Sequence, residues 1–225
     1  MLFPVGDDNM DGGHSAVFSY LFLAVNAGLF IFQTALPEGA QAGFVKTYGA
    51  IPAEISRGID PETLFSSMFL HGSWLHLLGN MLYLYIFGDN IEALIGSFRF
   101  VLFYLAGGLV AGMMQVFVSP DSVVPCVGAS GAISAVMGAY IVLFPRSRIR
   151  MLFLLIFSVF YIPAWIFLGL WFVQQLISGL GVPGMSGADA GGIAWWAHIG
   201  GFAFGLVSGY YYRAKYVTDR HIRYR

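Results

Sequence analysis

The chain has 225 residues, of which 58% are hydrophobic and only 10% are charged. An average soluble domain is about 25% charged, so this composition excludes a disordered chain and argues against a soluble globule. The chain has 11 Lys and Arg residues against 12 Asp and Glu residues. Without a basic excess it is not expected to bind nucleic acid. The composition therefore predicts a helical protein that crosses a lipid bilayer several times.

Six apolar stretches approach the length needed to cross a bilayer core of roughly 30 Å, which takes about 20 residues of helix. We predict spans at about residues 16–36, 74–95, 99–118, 130–144, 162–178 and 194–212. A long outer loop (37–73) joins the first two spans, and residues 179–193 join the last two. The expected fold is a single polytopic membrane domain over residues 1–225, an all-α protein whose six transmembrane helices form a compact bundle.

The fifth apolar stretch, Met151–Leu180, is too long for one span, because thirty helical residues reach about 45 Å. Pro163 lies in its middle and disfavours a straight helix. We therefore predict that the span begins near Ile162. The preceding segment, Met151–Tyr161, is predicted to be an interfacial or steeply tilted lead-in.

The basic residues predict the direction of the spans. With six spans, nine of them fall on one side, namely Arg99, Arg146, Arg148, Arg150, Arg213, Lys215, Arg220, Arg223 and Arg225. Only Lys46 and Arg57 fall on the other. The positive-inside rule then places the C-terminus in the cytoplasm, and the N-terminus shares that side. The first 15 residues contain no Lys or Arg, so no cleavable signal peptide is expected.

Strongly polar side chains at membrane depth are costly and are functional candidates for that reason. Span two begins with His76 and Asn80, span four with Ser130, and span six with His198. Even-numbered spans run in the same direction, so these four side chains are predicted to share one depth near the outer surface. His76 and Asn80 are four residues apart and lie on one helical face.

Two of these spans also carry faces of small residues, which allow membrane helices to approach closely. The repeats are Ser130, Ser134 and Gly138 in the fourth span and Gly201, Gly205 and Gly209 in the sixth. His198 lies three residues before Gly201 and therefore on the glycine face. If the two faces meet, Ser130 and His198 come within hydrogen-bond distance, which places a nucleophile beside a base.

The same residues supply groups that an oxyanion requires. The backbone N–H of Ser130 has no partner within its helix, because it begins one, and the helix dipole is positive there. Asn80 and His76 add side-chain donors from the neighbouring span. Gly128 and Gly131 flank the serine without bulk.

Taken together, these motifs resemble those of the rhomboid intramembrane serine proteases. The motifs are His76-xxx-Asn80, Gly128-Ala-Ser130-Gly131 and Ala197-His198-xx-Gly201-xxx-Gly205. The stretch HGSWLHLLGNMLYLYIFGDNIE, residues 71–92, is also typical of bacterial members. The resemblance covers about residues 16–212.

The resemblance implies site residues and an activity. Its site residues are Ser130 and His198 as a catalytic dyad, His76, Asn80 and Ser130 as the oxyanion hole, and Gly128, Gly131, Gly201 and Gly205 as supporting glycines. It implies an endopeptidase of the bacterial inner membrane that needs no cofactor and no metal. Its substrates would be transmembrane segments that enter laterally from the bilayer and are cleaved near the outer face. Residues 179–193 would form a mobile cap, and the fifth span a movable side gate.

Two features depart from the pattern of the family. A Trp-Arg pair that some members carry in the first loop is absent from this sequence. Some members carry a Tyr one turn after the serine, stacked on the catalytic histidine, and here that residue is Ser134. His198 must then be held in another way, for instance by tight glycine packing alone.

Other classes of protein remain open alternatives. They are a non-catalytic polytopic channel or transporter, and a membrane haem protein in which His76 and His198 bind the iron.

Several further polar residues are interpreted as structural. Gln174 and Gln175 are predicted to form interhelical hydrogen bonds, Glu92 to pair with Arg99, and His71 to be solvated at the surface.

Overall fold

A computed structural model describes residues 2–8, 13–155, 157–181 and 193–217. Its helices are α1 (Val17–Ala35), α2 (Glu38–Tyr48), α3 (Pro52–Ile55), α4 (Thr63–Ser66), α5 (Trp74–Ile95), α6 (Ser97–Val118), α7 (Ser130–Leu143), α8 (Ala164–Gly179) and α9 (Trp195–Tyr212). Its strands are β1 (Leu2–Gly6), β2 (Arg148–Phe153) and β3 (Ser158–Pro163). The predicted helical bundle is confirmed, and a small sheet is added to it.

The six predicted spans fall on α1, α5, α6, α7, α8 and α9. Among the described residues, two helices, α1 and α6, are long and apolar enough to cross a membrane, and α7 and α8 are shorter apolar helices. Length and composition do not establish a crossing by themselves, so the division into spans stays a prediction.

The centre of the bundle is α7, in which twelve of the fourteen residues are buried. A helix that is apolar on every side is surrounded by other helices, and here α5, α6, α8 and α9 all contact α7. Its small Ala, Gly and Ser side chains allow these neighbours to approach closely. The helix that begins with Ser130 is therefore fixed by packing on all sides.

The closest of these contacts joins α7 to α9, where the two faces of small residues meet. A Cβ atom added to Gly201 would lie 2.2 Å from the carbonyl oxygen of Gly131. One added to Gly205 would lie 2.0 Å from the carbonyl oxygen of Ala135. Both distances are far below van der Waals contact, so the two backbones touch only because these residues are glycines.

The three strands form an antiparallel sheet in the order β1-β2-β3. The segment predicted to be an interfacial or steeply tilted lead-in, Met151–Tyr161, is not helical where it is described: residues 151–153 belong to β2 and residues 158–161 to β3. Its aliphatic and aromatic residues have high strand propensity. β1 pairs with β2, so hydrogen bonds between strands satisfy the backbone N–H and C=O groups of β2 in place of those of a helix.

Glu92, predicted to pair with Arg99, instead stabilises the N-terminus of α1. Its carboxylate accepts hydrogen bonds from the backbone N–H groups of Val17, Phe18 and Ser19, at 3.0, 2.9 and 2.7 Å, and from the hydroxyl groups of Ser19 and Ser97. A carboxylate at this end of a helix satisfies free donors and complements the dipole. The guanidinium of Arg99 lies over the ring of Tyr216, 5.9 Å from its centroid.

The predicted outer loop (37–73) contains α2, α3, α4 and a 3₁₀ turn, Ser67–Phe69. It packs against the loop that precedes α7. Ala50 forms an antiparallel bridge with Cys126, and the carbonyl of Ser67 accepts the N–H of Gly128 at 2.9 Å. This segment therefore positions the residues immediately before Ser130.

Candidate active site

Ser130 and His198 lie beside each other at the same end of the bundle. Ser130 is the first residue of α7, and His198 lies in the first turn of α9. Ser130 Oγ is 2.8 Å from His198 Nε2, a normal hydrogen-bond distance. The glycine contact between the two helices makes this approach possible, as the spacing of the small residues predicted.

The imidazole of His198 is held from α8 as well. Gln175 Oε1 lies 2.8 Å from His198 Nδ1, and the Trp171 ring lies 6.0 Å from the imidazole. Trp195 packs perpendicular to it at 6.2 Å. The expectation that tight glycine packing alone holds His198 is therefore incomplete. Ser134, which replaces the stacking Tyr, donates its hydroxyl to the carbonyl of Ser130 at 2.6 Å.

These contacts bear on the haem alternative. Both ring nitrogens of His198 are engaged, one by Ser130 and the other by Gln175. In this arrangement neither nitrogen of His198 is free to bind an iron, as a haem ligand must. Within the described part of the chain, no group of three or more His, Cys, Asp or Glu side chains converges to hold a metal ion.

The ring of His76 faces the loop before Ser130. The backbone N–H of Gly72 donates to His76 Nδ1 at 3.5 Å, which favours the tautomer with its proton on Nε2. That nitrogen faces Gly128, where an added Cβ would lie only 2.7 Å from it. The φ of Gly128 is 126°, which side chains rarely adopt. A glycine is therefore required where the loop passes His76.

Asn80 is buried and is oriented by a histidine that sequence reasoning placed at the surface. His71 is fully buried, and Asn80 Nδ2 lies 2.9 Å from its Nε2. Burial lowers the pKa of His71 to about 4, so the ring is neutral and accepts the amide N–H. Gln33 Nε2 donates to the His71 carbonyl at 2.8 Å. The one feature of the sequence that indicates burial of His71 is the apolar run Met68–Leu70 directly before it.

One cavity of about 270 Å³ is lined by all four predicted side chains, His76, Asn80, Ser130 and His198. The first N–H groups of a helix have no partner within that helix, so the Ser130 amide is a further donor beside Ser130 Oγ. The arrangement combines a hydroxyl, a base and several N–H donors, which is what acyl transfer requires. Their catalytic roles stay a prediction.

The predicted cap (179–193) lies largely outside the described residues, which here include only 179–181 and 193. The supporting glycines are all described. Gly128 and Gly131 flank Ser130, and Gly201 and Gly205 form the contact of α9 with α7.

Comparison with known proteins identifies the family. Residues 60–215 match the model of the Rhomboid domain family. The chain belongs to the rhomboid family. The match confirms the resemblance seen in the motifs, and it makes the chain an integral membrane protein with a rhomboid helical bundle.

Three similar proteins illustrate the relationship. The chain is 31% identical to "Rhomboid protease GluP" of Bacillus subtilis over 122 residues, which are 54% of this chain and 24% of that protein. It is 33% identical over 94 residues to "Presenilin-associated rhomboid-like protein, mitochondrial" of Mus musculus, which are 41% of this chain and 25% of that protein. It is 29% identical over 153 residues to "Rhomboid protein 1, mitochondrial" of Saccharomyces cerevisiae, which are 66% of this chain and 41% of that protein. The chain thus spans less than half the length of each relative.

The rhomboid family acts on transmembrane substrates within the bilayer. Membership of it favours a protease-like protein over a channel, a transporter or a haem protein.

Proposed function

We propose that the chain is an intramembrane serine endopeptidase in which Ser130 is the nucleophile and His198 is the general base. The observation that carries this proposal is the 2.8 Å hydrogen bond between Ser130 Oγ and His198 Nε2. It lies on a cavity that His76 and Asn80 also line. A hydroxyl paired with an imidazole is the arrangement that activates serine for attack on a carbonyl.

The proposed reaction follows from this geometry. Ser130 Oγ attacks the scissile carbonyl carbon while His198 Nε2 takes the hydroxyl proton. The resulting oxyanion receives hydrogen bonds from the Ser130 amide, Asn80 Nδ2 and His76 Nε2. The C–N bond then breaks as His198 passes the proton to the leaving amine. Water, activated by the same imidazole, hydrolyses the acyl-enzyme.

We propose that the substrates are single transmembrane segments that reach Ser130 laterally from the bilayer. A small cavity of about 40 Å³ beside the serine is lined by Ala111, Gly112 and Gly131, among others. Its size suits a small substrate side chain next to the cleaved bond. In this account α8 is the side gate.

The proposed topology has six spans, with both termini in the cytoplasm of a bacterial cell and the chain in its inner membrane. The contacts at one end of the bundle support it. There β1 pairs with β2, which begins at Arg148, and Arg99 packs on Tyr216 in the turn that follows α9. The N-terminal strand and these basic residues therefore share the end opposite Ser130, where the positive-inside rule requires the cytoplasm.

Cleavage of a model transmembrane substrate by the purified protein tests the proposal. Ser130→Ala removes the nucleophile and is expected to show no cleavage above the uncatalysed rate. Ser134→Ala is the matched control, since it removes a hydroxyl one turn along the same helix and is expected to retain at least about a tenth of wild-type kcat. Cleavage by Ser130→Ala at the wild-type rate would contradict the assignment.

A further inference from the structure

Gln175 is the one polar side chain, among the described residues, that contacts His198 on the side away from Ser130. It lies on α8 and is 3% exposed. Its Oε1 is 2.8 Å from His198 Nδ1, while Nε2 of the same ring is 2.8 Å from Ser130 Oγ. The imidazole is therefore hydrogen-bonded at both nitrogens, with an amide in the place of a third catalytic carboxylate.

The direction of these hydrogen bonds decides whether His198 can act as a base. A neutral imidazole has one N–H and one acceptor nitrogen. If Gln175 presents its carbonyl oxygen, Nδ1 carries the proton and Nε2 accepts the hydroxyl of Ser130. If the amide were reversed, its NH₂ group would face Nδ1, the ring proton would move to Nε2, and Ser130 could no longer donate to it.

The neighbouring residue is consistent with the productive direction. Gln175 Nε2 donates to the side-chain oxygen of Gln174, and Gln174 Nε2 donates to Ser178 Oγ at 3.1 Å. With its NH₂ group directed at Gln174, the amide of Gln175 presents its oxygen to His198. The chain of donors thus runs in one direction from Ser130 through the imidazole to Ser178.

The same helix also restricts rotation of the ring. Trp171 lies four residues before Gln175, on the same face of α8, and its ring is 6.0 Å from the imidazole. The ring is thus packed by an indole and hydrogen-bonded by an amide that belong to consecutive turns of one helix.

We propose that Gln175 is a positioning residue whose side-chain carbonyl holds His198 in the tautomer and orientation in which Nε2 accepts the proton of Ser130. This inference rests on the proposed function. No proton passes to Gln175. It accepts the Nδ1–H hydrogen bond both before Nε2 takes the proton of Ser130 and after Nε2 returns it to the leaving amine.

Two substitutions separate the acceptor from the volume of the side chain. Gln175→Met keeps the length but removes the acceptor, and kcat is expected to fall about 10- to 100-fold with KM changed by less than about threefold. Gln175→Glu returns an oxygen acceptor to the same place and is expected to recover at least about a third of wild-type kcat.

Asn26→Leu is the control. Asn26 is also a fully buried amide on a helix of the bundle, but its Nδ2 donates to the Phe22 carbonyl at 2.7 Å within α1. Its loss is expected to lower the melting temperature while leaving kcat within about threefold of wild type.

A direct readout of the tautomer does not depend on cleavage. Nitrogen NMR of protein labelled with ¹⁵N-histidine, with the His198 signals assigned by their loss in His198→Gln, reports which ring nitrogen carries the proton. The wild type is expected to show Nδ1–H, and Gln175→Met a population with Nε2–H.

Three results would overturn the inference: Nε2–H in the wild type, a kcat of Gln175→Met within about threefold of wild type, or a Gln175→Glu variant as slow as Gln175→Met. A wild-type protein without cleavage activity would instead contradict the proposed function, and the NMR measurement would still decide the tautomer.

Discussion

At the scale of single residues, the loop before Ser130 and the first turns of α5 hold each other in place. Gly128 donates its N–H to the carbonyl of Ser67 at 2.9 Å and passes His76 at a distance that only a glycine allows. Ser73 caps α5 by accepting the N–H of His76 at 3.2 Å. In the proposed mechanism these groups are the oxyanion donors, and they are oriented before a substrate arrives, which makes oxyanion stabilisation effective.

Asn80→Ala tests this account of the oxyanion donors. The Ser130 amide and His76 remain in the variant, so kcat is expected to fall by roughly 10²-fold or less, with little change in KM. Kinetics with a model transmembrane substrate measure the effect. Asn26→Ala is the control, because Asn26 is also a buried asparagine but donates to the Phe22 carbonyl within α1, and it is expected to change stability rather than kcat. A wild-type kcat of Asn80→Ala would contradict the proposal that Asn80 is an oxyanion donor.

The sequence could predict which four side chains meet, because polar groups are scarce in these spans and helix direction gives their depth. The sequence could not predict which residues hold His198 and Asn80 in place. Gln174 and Gln175 are adjacent and diverge around α8, so the rotation of that helix, which packing decides, determines which one reaches His198. The contact of His71 with Asn80 depends likewise on the path of the chain between α4 and α5.

At the scale of the elements, the contact of α7 with α9 determines how far Ser130 lies from His198. The carbonyl oxygens of Gly131 and Ala135 lie against Gly201 and Gly205 so closely that no side chain fits between them. Interiors are close-packed and respond to the addition of even one methylene group. The separation of Ser130 and His198 is therefore a property of two whole helices and not only of two side chains.

The sheet closes the opposite end of the bundle and brings a buried carboxyl group with it. Asp7 follows β1 and is 7% exposed. It accepts hydrogen bonds from the Tyr140 hydroxyl and, at 2.8 Å, from Asn90 Nδ2. The neighbouring Asp8 pairs with Arg148 at 2.9 Å. Burial, together with the charges of Asp89 and Asp8, raises the pKa of Asp7 from its ordinary value of 3.8 to about 7.

The raised pKa predicts a loss of stability as pH increases. The folded protein retains the Asp7 proton over a range in which the unfolded chain has released it. The contribution of Asp7 to the free energy of unfolding therefore falls between pH 3.8 and about 7, by at most about 1.4 kcal/mol per pH unit. Asp7→Asn stays neutral, so its melting temperature is expected to rise relative to wild type between pH 5 and pH 8 by several degrees, estimated roughly from this slope.

Asp121→Asn provides the control for that measurement, because Asp121 is exposed in the loop between α6 and α7. Its melting temperature is expected to follow that of the wild type across the same pH range. A constant difference between Asp7→Asn and wild type at all pH values would show that Asp7 titrates as an ordinary carboxyl group.

The helices of the bundle could be predicted from their apolar runs, whereas the strands could not. The aliphatic and aromatic run over β2 and β3 satisfies the requirements of a buried helix and of a strand equally well. The choice is made by β1, which pairs with the distant strand β2, with Leu2 opposite Phe153 and Gly6 opposite Arg150. Because the partner strand is so distant in the sequence, the residues of β2 and β3 carry no local pattern that would distinguish strands from a helix.

At the scale of the whole molecule, the two ends of the bundle differ in chemistry. The helix that begins with Ser130 has 14 residues and extends about 21 Å, less than the roughly 30 Å of a bilayer core. In the proposed topology the sheet and the basic residues lie at the cytoplasmic surface, and the proposed site would then lie below the opposite surface, within the membrane. Such a site receives a substrate that is itself embedded in the bilayer.

The central claim is that His198 activates Ser130 as a nucleophile, and labelling with a serine-reactive fluorophosphonate tests it most directly. The account predicts one adduct on the wild-type protein, mapped to Ser130 by mass spectrometry, none on Ser130→Ala and strongly reduced labelling of His198→Ala. Labelling that survives both substitutions, or an adduct on a different serine, would contradict it.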